Sequence, residues 1–194
     1  MVYFAKIGMS SEVIWVTPFD ENQMLDADNN PDETIAQQIL EERHGWPSQM
    51  WIQCDINTYD GKYYTPGLNW VLDDDQSKAF RANFPGLGDI WNSQYQIFHE
   101  QKPIDKGSWT LNTTTGKYEA PVTFPTLTTY TVDSDNAEQV AYYNDKVSRG
   151  LASDNTLNLI INWNETLTRW ESKGHFVSNF THYWNSDTSS WVSI

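Results

Sequence analysis

One short grammar recurs along this chain and limits what it can fold into. An apolar or aromatic residue is followed by Asn or Asp, and an aromatic residue stands six positions beyond that Asn or Asp. It occurs at Trp91-Asn92 to Phe98, Leu111-Asn112 to Tyr118, Trp163-Asn164 to Trp170 and Trp184-Asn185 to Trp191, with a looser copy at Leu72-Asp73-Asp74 to Phe80. In the second copy, Asn112 can fold its side chain onto the backbone two residues on, and Gly116 can take the positive φ that closes such a loop. Leu111 and Tyr118 then meet as a cross-strand pair. The pattern predicts β-hairpins clasped by aromatic rings, and its irregular spacing argues against a solenoid or propeller. Such rings have two uses: they hold the hairpins shut, or they present a platform on which a ligand stacks. The interaction or glycan-stacking candidates are Trp109, Tyr118, Trp163, Trp170, Trp184 and Trp191.

A chain of 194 residues can form one or two small domains, each with a modest core. Ten Trp, ten Tyr and eight Phe make that core aromatic-rich although the mean hydropathy is low, at -0.62. The balance of 12 Lys and Arg against 26 Asp and Glu gives a formal charge of -14, which argues against a duplex-binding surface and for solubility. The acidic residues are dispersed apart from Asp73-Asp74-Asp75, unlike the clustered carboxylates of a DNA mimic. Cys54 is alone, so neither an intrachain disulfide nor a C-x-x-C site is expected. The opening Met1-Val-Tyr-Phe-Ala-Lys6 does not read as a signal peptide, and no run approaches a membrane span. Synthesis in a cytoplasm is therefore expected, with the Asn-x-Thr sequons at Asn112, Asn164 and Asn179 accidental.

The order of signals predicts a β-dominated α+β protein: antiparallel hairpins with aromatic clasps plus two short helices. Tyr3–Ile7 and Glu12–Val16 read as an opening hairpin. A helix follows at about 31–44, with Asn30 as N-cap, Pro31 at its first position, Glu33 completing a capping box and Gly45 as the stop. Trp51–Asp55 reads as a strand and Asp60-Gly61 as a turn. The second helix is expected at about 135–149, with Asp135 and Glu138 as its capping pair, Val140, Tyr143 and Val147 as its stripe and Gly150 as its stop. Pro121 and Pro125 mark an edge segment, and Leu157, Leu159, Ile161 and Trp163 alternate as a half-buried strand. With a linker at Lys102–Gly107, the expected organisation is an N-terminal α+β module over 1–103 and a C-terminal β-hairpin module over 104–194 with one inserted helix.

Catalytic and metal signatures are weak. Asp26-x-Asp28-x-Asn30 copies the first ligands of a calcium loop, but Pro31 and Gln37 stand where Gly and the bidentate Glu belong. The histidines His44, His99, His175 and His182 form no H-x-H or H-E-x-x-H pair. Gly86-x-Gly88 lacks the third glycine of a nucleotide fingerprint, and no G-x-S-x-G elbow or Walker loop is present. Neither metal, cofactor nor enzymatic activity is expected.

Phe80-Arg-x-Asn-Phe-x-Gly-Leu-Gly88 followed by Trp91-Asn resembles a family of small proteins of unassigned function from marine tailed phages, cyanophages above all. The opening Tyr3-Phe-Ala-Lys-Ile, the acidic loop and helix ending at His44-Gly45, the Trp51-Ile-Gln strand and the Trp109-x-Leu-Asn…Tyr118-Glu-Ala-Pro121 module are also similar to it. The likeness covers about residues 1–125 and returns at Trp184-Asn-Ser-Asp-Thr-Ser-Ser-Trp191; the tract 54–78 is longer than the usual pattern, and the insert at 130–160 departs from it. The resemblance implies a virion structural or accessory protein: a head decoration, baseplate or tail-fibre component made in the host cytoplasm. It would act by docking in many copies against capsid or tail subunits. The alternative is a glycan-binding module that attaches to a host surface through exposed Trp163, Trp170, Trp184 and Trp191. A host-inhibiting protein absent from the particle is a third reading. No nucleic-acid or membrane partner is expected.

Overall fold

A computed structural model describes residues 1–67 and 69–194, and the chain is a β-rich α+β protein. It divides into two compact units: Met1–Pro103 with Leu111–Tyr118, and Ile104–Thr110 with Glu119–Ile194. The tip of the Asn112 hairpin, which the sequence assigns to the C-terminal module, thus belongs to the first unit.

The first unit is built on β1 (Val2–Ile7), which pairs antiparallel with β2 (Val13–Phe19) on one side. Helix α1 (Glu33–His44) then leads to β3 (Trp51–Cys54), which pairs with β1 on its other side. Side chains of β1 alternate between two cores. Phe4 joins Phe19, Met24, Ala36, Leu40 and Trp51 on the α1 side, while Ala5 and Ile7 join Val13, Ile52, Cys54, Trp91 and Phe98. Lys6 faces Trp15 and Ile7 faces Val13, so Ile14 is an extra residue. That bulge explains how Val13 and Phe19, six apart, reach opposite faces. Pro18 is accommodated because β2 is an edge strand.

The start of α1 differs from expectation. Asp26 Oδ1 accepts from the backbone N–H of Asp28 and of Asn30, both at 2.8 Å, and so closes the loop on itself. Pro31 is left outside the helix, and the N-cap is Asp32, whose carboxylate accepts from Thr34 N at 2.7 Å. Gly45 ends the helix in the left-handed region, as predicted. Glu33 completes no capping box. It accepts two 2.8 Å hydrogen bonds from the Arg81 guanidinium and one from Gln53 N, while Arg81 also donates to Gln53 O and Gln37 Nε2 donates to Trp51 O. The outer edge of β3 is thereby closed by side chains and cannot template another strand.

The rest of the unit is hairpins: β4 (Thr58–Tyr59) with β5 (Lys62–Tyr63), β6 (Ile90–Asn92) with β7 (Ile97–His99), and, but for the end residues Thr110 and Glu119, β8 (Thr110–Asn112) with β9 (Lys117–Glu119). Asp60 and Gly61 both have positive φ, the type I′ geometry that an Asp-Gly turn favours. The segment 80–84 stitches these hairpins together. Arg81 and Ala82 are both left-handed, which aims their carbonyls at Phe98 N and Gly61 N. Asn83 donates to the carbonyls of Phe98 and Thr115 and accepts from Asp60 N. The Phe-Arg-x-Asn-Phe motif is therefore a structural knot.

In the second unit, β10 (Thr129–Thr131) is followed by α2 (Ala137–Ser148) and then by β11 (Thr156–Asn158), which pairs with β10. The N-cap of α2 is Asn136, accepting from Gln139 N, and not Asp135. None of its residues is fully buried, and Val147 is exposed rather than part of an apolar stripe. A four-stranded antiparallel meander completes the unit: β12 (Ile160–Asn164), β13 (Arg169–Lys173), β14 (His182–Asn185) and β15 (Ser190–Ser193). The alternating Leu157-to-Trp163 run is two strands in different sheets, divided at Leu159. The proline segment 121–127 is not a strand. The indole N–H groups of Trp170 and Trp191 donate to its carbonyls at Val122 and Leu127.

Four copies of the recurring grammar are hairpins of one design. Across strands, Trp91 faces Phe98, Trp163 faces Trp170 and Trp184 faces Trp191, with ring centroids 4.8, 5.1 and 5.3 Å apart. Asn92, Asn112 and Asn185 each accept from two loop N–H groups, and Asn164 accepts from Leu167 N. Each loop closes on a left-handed residue, at Gln96, Gly116, Thr168 and Ser189. The fifth copy is no hairpin. Its Asp73 and Asp75 accept from Asp75 N and Ser77 N, which winds Gln76–Lys78 into a 3-10 turn.

Candidate functional site

The six ring candidates lie mostly inside. Trp163, Trp170 and Trp184 are 4, 8 and 6 % exposed and form one cluster, with Trp109 and Trp191 packed against it. Their rings meet edge to face: Trp109 lies 6.4 Å from Trp163 and 6.1 Å from Trp170. Tyr118, in the first unit, meets His99 edge to face at 5.7 Å, with the Lys102 ammonium above it. The expectation of solvent-exposed stacking faces at Trp163, Trp170 and Trp184 is thus overturned. Burying an indole stabilises a small unit more than leaving it open, and T-shaped pairs add about 0.5–1.5 kcal/mol.

The carboxylates beside this cluster also hold structure. Glu165 accepts from the Trp163 indole at 2.7 Å, from Ser108 Oγ and from Ser108 N. Burial works to raise its carboxyl, but those hydrogen bonds and the Lys106 charge outweigh it and hold the group below its ordinary value. Buried Glu171 is bound by Arg169 at 2.6 and 2.9 Å and by Asn164 at 3.1 Å. Both carboxylates are engaged in hydrogen bonds within the unit. The Cys54 thiol is buried in the first core, and burial pushes it far up, so it is not a nucleophile. Among the described residues no group of three metal-capable side chains occurs, and no helix is long and apolar enough to cross a membrane.

An exposed group of aromatic and aliphatic residues lies elsewhere, on the first unit. Trp70 is 63 % exposed, Val71 57 % and Leu72 52 %, and Ile56 and Tyr59 are exposed beside them. The surface is built on β5. Tyr64 bridges Leu72, Thr65 N donates to Val71 O at 2.9 Å, and the Gln76 carboxamide pairs with both backbone groups of Tyr63 as a further strand would. Trp70 meets Tyr64 at 5.1 Å and Tyr59 at 6.2 Å, and Lys117 lies 4.5 Å above the Tyr59 ring. Ile56, Asn57, Tyr64, Asn69 and Trp70 line a hollow of about 370 Å³. Its lining is mainly apolar and includes the side chains of Asn57 and Asn69, with Asp73-Asp74-Asp75 following soon after in sequence. Nothing in the sequence marked these residues as a site. Pro66-Gly67 is loop chemistry, and Trp70-Val71-Leu72 is an apolar run without the alternation of a strand.

Comparison with models of known families, with curated proteins and with solved structures gives no match in any of the three.

Proposed function

We propose that this chain is a structural or accessory component of a tailed-phage particle, acting by docking to other particle subunits and not by catalysis. One observation carries the docking part: Ile56, Tyr59, Trp70, Val71 and Leu72 are left open to water, with Trp70 against Tyr59 and sharing a hollow with Ile56. Soluble monomers rarely leave such patches uncovered unless something binds them. The acidic run that follows it and the net charge of -14 favour a partner face with an apolar centre and a basic rim. The location in a particle rests on the resemblance of the Phe80-to-Trp91 motif. Immunodetection of the chain in washed, gradient-purified particles tests it: the native chain co-sediments, and Trp70→Ser lowers its occupancy while keeping the native circular dichroism. Absence of the native chain from particles would defeat the proposal.

A second reading is favoured by the hollow itself. Trp70 and Tyr64 beside Asn57 and Asn69 suit a neutral sugar ring, whose apolar face stacks while amides serve its hydroxyls. Titration of the native chain and of Trp70→Phe with neutral oligosaccharides, followed by indole fluorescence, separates this from docking. A saturable shift attenuated in the variant supports it, and none at about millimolar sugar removes it.

A further inference from the structure

The second unit holds a cleft of different character, of about 320 Å³, open to solvent and lined mainly by polar groups. One wall is α2, which supplies Tyr142 and Lys146; the facing wall is the return into β11, with Ser153, Asp154 and Asn158; His175 stands at the rim. The Lys146 ammonium lies 5.1 Å from the Tyr142 ring centroid, and no carboxylate among the described residues comes within ion-pairing distance of it. His175 lies 5.3 Å from the same ring at a tilt of 36°. A half-buried cation held over a ring, in a hollow of this acidic chain, still has room for an anionic partner.

The other wall sets a limit on that anion. Asp154 Oδ1 accepts from Thr156 Oγ1 at 2.8 Å and from Thr156 N at 3.3 Å. Those bonds hold its carboxyl below the ordinary value, the hydroxyl contributing most, so it stays charged at neutral pH. Its Oδ2 takes no part in them, and Asp154 lines the cleft together with Asn158 and Ser153. A compact inorganic anion would be repelled by that carboxylate. A ligand with a carboxylate at one end and hydroxyls at the other would satisfy both walls: the charge to Lys146, the hydroxyls to Asp154, Asn158 and Ser153.

We propose that the cleft between Tyr142, Lys146, Asp154 and Asn158 binds an acidic sugar residue of the hexuronate type. The volume has room for one such ring. The site is independent of the Trp70 surface and of particle docking, so it stands or falls alone.

The test is a titration of the full chain with glucuronate, followed through the NMR signals of the Tyr142 and His175 rings. Glucose and inorganic phosphate serve as parallel titrants. Saturable shifts with glucuronate are expected, with neither glucose nor phosphate reproducing them. Lys146→Met should weaken the interaction about tenfold or more, the scale of one charge-assisted hydrogen bond, while Lys146→Arg retains it within a few-fold. Asp154→Asn should admit phosphate. Since Lys146 makes no ion pair and α2 has no buried residue, the variants should keep the native circular dichroism. Equal shifts with glucose, equal shifts with phosphate in the native chain, or an unchanged titration in a folded Lys146→Met would each overturn the assignment.

Discussion

Two glycines with nearly the same backbone angle show how differently single positions are constrained. Gly45 has φ 61° and a Cβ built there meets nothing within 4 Å, whereas Gly116 has φ 68° and a Cβ there would stand 2.3 Å from Asn83 Nδ2 and 2.6 Å from Phe98 O. Gly45→Ala should therefore cost only the left-handed penalty, about 1–2 kcal/mol. Gly116→Ala must also push aside a backbone carbonyl and the amide at the centre of the knot, and should cost about 2–4 kcal/mol. Chemical denaturation of the two variants measures the difference. Glu165 gives a residue-scale pH effect with a definite sign. Its folded value lies below the ordinary 4.5, so its contribution to stability is complete above about pH 4.5 and is lost as pH falls through the lowered folded value. Glu165→Gln should flatten the acid limb of a plot of melting temperature against pH. An unchanged limb would mean that the tether to Ser108 and Trp163 does not contribute.

At the scale of elements, β3 owes its closed edge to three side chains from elsewhere in the first unit. Arg81→Met removes the donor to Gln53 O and leaves Glu33 accepting only from neutral groups. The pair is partly solvated, at 13 and 25 % side-chain exposure, so the loss should be about 1–3 kcal/mol and below that of a fully buried pair. The diagnostic result is aggregation on heating that the native chain does not show at equal unfolded fraction. That would report the opened strand edge. These elements also show what a sequence discloses. The hairpins were legible because Asn, the left-handed closing position and both rings lie within eight consecutive residues, as in Trp91–Phe98. The helix caps were misplaced because the competition was not visible: Asp26 takes the backbone N–H of Asn30, and the cap passes to Asp32. The false fifth hairpin failed because three consecutive Asp offer rival turns. Which rings would be inside depended on strand pairing, and so the exposed surface at Trp70 and the cleft at Lys146 could not be read from local pattern.

For the whole molecule the dominant long-range quantity is the charge of -14. Its self-repulsion weakens as the Debye length falls from ~30 Å at 0.01 M salt to ~3 Å at 1 M. The melting temperature should accordingly rise with added sodium chloride, and a fall would show that local ion pairs such as Arg81–Glu33 outweigh the net field. The heavy use of tryptophan has a structural reason too, since a chain divided into two small units has little interior volume and gains most from its largest apolar side chains. The Asn-capped loop carries a consequence for ancestry. Its closing position is Gln, Gly, Thr or Ser in the four copies, and most of the intervening residues face water, so copies can diverge while the bend survives. A gene could lengthen by duplicating that cassette without redesigning an interior, and four descendants of one such unit would look much like the hairpins seen here.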